Sequence, residues 1–149
     1  MTTRSGARRL LATAWLVPAL AFAQSHQMRQ GDFTLRSDTV PSTAIAPGPA
    51  ERNGIEQGRR QAILNVVVLR GHGRGRRPVS ADVQAHARDL AGMRRAIAMH
   101  ASKTANGDVS YVGTYSYAPR EVLDMVVTAT PDGSSRPLSL TYRARMPAS

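Results

Sequence analysis

The chain has 149 residues, with 20 arginines and lysines against 10 acids and no cysteine. That length accommodates one domain with a core of its own, and the missing cysteine excludes disulfides, thiol nucleophiles and cysteine-ligated metals. Every basic residue except Lys103 is arginine, scattered with few aromatics between them, which argues against a nucleic-acid surface.

The chain opens on "MTTRSGARRLLATAWLVPALAFAQ". Arg4, Arg8 and Arg9 precede an apolar run from Leu10 to Phe22, and Ala21-Phe22-Ala23 places small residues where a signal peptidase reads. The run is shorter than the ~20 residues a spanning helix needs, so no transmembrane anchor is expected. Residues 1–23 read as a signal peptide and 24–149 as one mature domain of the periplasm. Its loss takes the formal charge from +10 to +7. Cleavage after Ala23 starts the mature chain at Gln24-Ser25-His26. A free α-amine, two amide nitrogens and the third-position imidazole can wrap Cu(II) or Ni(II) in a square plane. These three residues are the metal candidate.

Strands separated by turn signals follow. "GDFTLRS" (31–37) alternates Phe33 and Leu35 with polar neighbours, the period of a half-buried strand. The proline-rich stretch 40–54 reads as a connection, with one helical turn after Pro49. "QAILNVVVLR" (61–70) is β-branched and nearly all apolar, which suits a strand covered on both sides. "RGHGRGRRP" (70–78) interrupts the pattern as a hairpin loop. Its glycine spacing is not that of a phosphate-binding loop, and Arg74, Arg76 and Arg77 are its candidate contacts to an anionic envelope component.

From Val79 to Ala87 the odd-numbered residues are apolar and the even-numbered ones polar. The stretch 80–102 is also alanine-rich, and Val79, Val83, Ala87, Leu90, Arg94, Ile97 and Ala101 recur at helical spacing, so a helix broken at Gly92 fits as well. Asn106-Gly107 marks a hairpin turn between "AIAMHASK" and "VSYVGTYSY". "VLDMVVTATPDG" and "PLSLTYRAR" supply two more strands around a turn at Pro131-Asp132-Gly133. About seven short strands with evenly spaced turns describe an antiparallel sandwich.

"GDFTLRSDTVPSTAI", "RQAILNVVVL", "RPVSADVQAHARDLAG" and "SYVGTYSY", in that order, resemble an exported family of unknown function, DUF4426. The likeness spans about residues 30–146. It implies an all-β, immunoglobulin-like sandwich, and so favours two strands with a turn near Ala91-Gly92 over the helix. It implies no activity and no site residues.

Catalytic motifs are lacking in the sequence: there is no G-x-S-x-G, H-E-x-x-H or S-x-x-K. On a strand, Asp82 and His86 stand roughly 13 Å apart, too far to share a proton. The methionines and histidines would suit copper, but methionines at alternating strand positions are usually core fillers. The reading is therefore a non-catalytic binding or structural module of the envelope with no cofactor, partnered by an envelope protein or anionic envelope component. The rival is a metal-handling protein or a small hydrolase.

Overall fold

The computed structural model describes residues 24–148. The expected signal peptide lies outside the described residues. The remainder forms two antiparallel sheets packed face to face, the all-β sandwich expected.

Ten strands are present among the described residues rather than about seven: β1 (Gln24–Gln30), β2 (Phe33–Pro41), β3 (Gln61–Arg70), β4 (Arg77–Pro78), β5 (Ala81–Arg88), β6 (Arg94–Ile97), β7 (His100–Lys103), β8 (Val109–Ser116), β9 (Val122–Pro131) and β10 (Leu138–Arg145). One sheet runs β1-β2-β3-β8-β7, with β4 also on β3; the other runs β10-β9-β5-β6. β8 pairs with residues 61–66 of β3 and β4 with residues 69–70, so the two share one edge of β3.

Alternation decides which side chains meet between the sheets. Leu35, Leu64, Val66 and Val68 come from one sheet, and Leu123, Met125, Val127 and Leu140 from the other; all are buried. On β10 the intervening Ser139, Thr141, Arg143 and Arg145 face solvent. β3 departs from this rule because Ile63, on its outer face, is also buried. Residues 42–58 lie over that face and carry a short helix α1 (Pro47–Arg52), which begins at Pro47 rather than after Pro49. The connection is tied down where Ser42 Oγ donates to Gly58 O at 3.0 Å and Ser102 Oγ donates to Asn53 Oδ1 at 2.8 Å.

Residues 79–102 contain no helix. β5 and β6 flank a turn in which Gly92 takes φ +86°, as the resemblance implied. "AIAMHASK", however, is not one strand. It splits at Ala98-Met99, where the chain leaves β6 in one sheet and enters β7 in the other. The hairpin at Asn106-Gly107 spans residues 104–108, and only Gly107 has positive φ there, at +83°.

Candidate functional site: an apolar slot between the sheets

The sequence-nominated arginines lie on the hairpin joining β3 to β4. Arg74 and Arg77 are exposed, and Arg76 folds back so that its Nε donates to Gly73 O at 3.2 Å. The base of the loop is tethered: Gly71 N donates to Asp32 O at 2.8 Å, and His72 Nε2 lies 2.8 Å from Asp32 Oδ1. None of these residues lines a cavity described below.

Gln24, Ser25 and His26 begin β1, a strand not expected from the sequence. Ser25 pairs with Asp38 and His26 with Ser37. The His26 ring stacks on Tyr142 with centroids 4.0 Å apart and planes 12° from parallel. A four-nitrogen metal complex would require this imidazole to leave Tyr142 and the strand start to leave β2. Among the described residues no group of three or more His, Asp or Glu side chains is arranged to hold a metal ion.

The structure instead opens between the sheets at the end formed by Pro41, Ala62 and Tyr117 on one side and Ala144 to Pro147 on the other. The opening is a slot of about 380 Å³, also lined by Thr39 and Tyr142. It exists because alanine occupies two inward positions, Ala62 and Ala144, beside the larger Leu64 and Tyr142. The volume lies at the lower end of the range for small-molecule sites.

Polar atoms around the slot are already engaged. Tyr142 Oη shares hydrogen bonds with Ser37 Oγ at 2.9 Å and Thr39 Oγ1 at 3.2 Å. Tyr117 Oη donates to Arg59 O at 3.1 Å, and Tyr115 Oη lies 3.8 Å from Met146 Sδ. Burial pushes the phenol of Tyr115 well up and that of Tyr142 up, so both stay protonated at neutral pH. What remains for a ligand is ring face, methyl and thioether, with Arg145 at the rim. No acid or histidine lines the slot.

The profile of a family described as a domain of unknown function (DUF4426) matches residues 27–146. The chain belongs to this family. A crystal structure of a DUF4426 family protein from Pseudomonas aeruginosa PAO1 is similar, with a TM-score of 0.72 at 20% identity, over 84% of this chain and 96% of that one. At that identity the likeness shows the fold. No curated protein matches the chain.

In this DUF4426 domain the mouth of the slot is buckled by Glu121. Its carboxylate takes Arg95 Nη2 and accepts from Ala118 N at 2.8 Å, while its carbonyl accepts from Met146 N at 2.8 Å. Beside it, Arg120 adopts φ 59°, the left-handed region a non-glycine residue rarely enters, with its N–H donating to Pro147 O at 2.9 Å. On the outer face of the larger sheet, Asp38, Asn65 and Ser110 join Val40, Ile63 and Val112 in a shallow groove of about 590 Å³. A third cavity, of about 400 Å³, adjoins β7 and includes His100. Asp38 is the only acid or histidine in the groove and His100 the only one in the third cavity, so in neither do two such groups converge.

The alternating strand pattern locates Tyr142 and Ala144 on the inner face, but nothing in the sequence says that the sheets part beside them. The slot depends on which inward residues of two sheets face each other.

Proposed function

We propose that this DUF4426 protein is an exported, non-catalytic binding module of the cell envelope, and that the slot between β2 and β10 holds an apolar ligand or side chain. The observation that carries this reading is an open cavity whose phenol hydroxyls bond to the protein itself, leaving an apolar lining of aromatic faces, alanines and Met146. Export is supported by the basic, apolar and small-residue order of residues 1–23.

A neutral fluorescent naphthylamine tests the slot. It is expected to brighten with the purified protein and to bind about tenfold more weakly to an Ala144→Met variant, whose longer side chain fills the volume. Thermal unfolding of the variant checks that it folds. Equal binding by both proteins would move the site elsewhere. Fractionation with intact-mass measurement tests export, the expected product being a periplasmic chain beginning at Gln24.

A further inference from the structure

The end of the sandwich that carries the slot also carries its most exposed large apolar side chains. Leu90 and Met93, on the turn between β5 and β6, are 74% and 66% exposed. The turn is closed, not loose: Asp89 N donates to Met93 O at 3.1 Å, Gly92 N to Asp89 O at 3.0 Å, and Met93 N to Asp89 Oδ1 at 2.9 Å. The two side chains are therefore held in water by a fixed backbone, and no contact within the fold recovers their apolar area.

Register places cations that lack a carboxylate partner at the same end. Arg88 lies opposite both Arg94 and Asp124, and Arg145 opposite Val122, which brings the β5–β6 turn, the start of β9 and the end of β10 together. Asp124 and Glu121 are occupied by Arg88, Arg143 and Arg95, and Asp89 caps the turn. Arg94, Arg120 and Arg145 are exposed and have no carboxylate partner among the described residues. The arginine-rich loop 70–78 lies at the opposite end, where β3 finishes and β5 begins.

We propose that this end docks on an anionic lipid bilayer, with Leu90 and Met93 entering the acyl region and Arg94, Arg120 and Arg145 against headgroup phosphates. An apolar tip with a cationic collar is the composition of an interfacial anchor, and the planar guanidinium suits phosphate oxygens. A protein partner fits the tip less well. Two side chains on a narrow turn fall far short of the ~800 Å² that a stable interface takes from each side, whereas entry into hydrocarbon needs no breadth. Docking of this kind does not depend on what the slot holds.

Co-sedimentation of the purified protein with vesicles of phosphatidylglycerol and phosphatidylethanolamine, against vesicles of phosphatidylcholine, tests the proposal. Binding is expected on the anionic vesicles at low salt, and about tenfold weaker or more on the neutral ones. Raising the salt should weaken it. Leu90→Ser with Met93→Ser should lower binding about tenfold or more, while thermal unfolding stays close to that of the parent because both sites are exposed. Replacing Arg94, Arg120 and Arg145 by glutamine should flatten the salt dependence, and replacing Arg74, Arg76 and Arg77 should leave binding unchanged. Three results would overturn the proposal: no binding to anionic vesicles at low salt, undiminished binding by the tip variant, or loss in the 74/76/77 variant instead. A protein that is dimeric in solution and turns monomeric in the tip variant would assign the tip to a second copy and overturn it as well.

Discussion

The hydroxyl of Tyr142 on β10 lies 2.9 Å from the hydroxyl of Ser37 on β2, a buried hydrogen bond that joins the two sheets across the core. Thr39 adds a second contact at 3.2 Å, and His26 covers one face of the ring. Tyr142→Phe keeps the ring and its stacking but leaves Ser37 without its partner. It is expected to cost about 1–2 kcal/mol, read as a lower urea midpoint at unchanged slope. An unchanged midpoint would mean that solvent satisfies Ser37 equally well.

Gly113 on β8 lies directly against the segment that crosses between the sheets. A Cβ there would stand 2.7 Å from the Ala98 carbonyl oxygen, the Ile97 Cγ2 and the Met99 Sδ. The carbonyl belongs to the segment that carries the chain from β6 to β7, so it cannot move without shifting both sheets. Gly113→Ala is expected to destabilise by about 3 kcal/mol. The same change at Gly107, where nothing lies within 4 Å, would strain only its positive φ and should cost less. Equal losses at the two sites would contradict the close crossing.

His86 gives a pH dependence. Desolvation, then the charges of Arg94 and Arg88, lowers its pKa from the ordinary 6.5. Arg94 Nη2 lies 3.0 Å from its Nε2, a contact that suits the neutral ring as acceptor. The unfolded chain thus binds the proton more readily than the folded one. Stability is full above about pH 6.5 and falls as pH drops through the depressed folded value. The ring is only half-buried, on the outer face of its sheet, so water still screens it and the loss is small. Proton NMR should give a His86 midpoint below 6.5, and Arg94→Gln should raise it part of the way, since desolvation remains. A midpoint at or above 6.5 would contradict the arrangement.

Much of the fold was legible because alternation is local. The inward set of β9 and β10, and the odd-numbered face of β5, follow from period-two burial alone. β1 was not legible: from Ser25 to Gln30 only His26 and Met28 are even half-buried, too few to signal a strand in a polar run. The split of 94–103 between sheets was hidden as well, because nothing in Ile97-Ala98-Met99 marks a crossing until Gly113 is seen beneath it. The arginine-rich loop drew attention by composition, yet composition does not bring groups together, and its arginines line none of the three cavities described above. The candidate slot depends on Ala62 and Ala144, two of many alanines in the sequence, which matter because they line the same open end from opposite sheets.

Methyl NMR of the protein titrated with an apolar ligand tests the central claim, that the slot is the binding site, most directly. The expected result is that the methyls of Ala62, Ala144 and Met146 shift together and saturate at one ligand concentration. Leu90 and Met93, the large apolar side chains exposed to solvent among the described residues, should stay in place. Shifts confined to Leu90 and Met93, or no saturable shift at the three slot methyls, would contradict it.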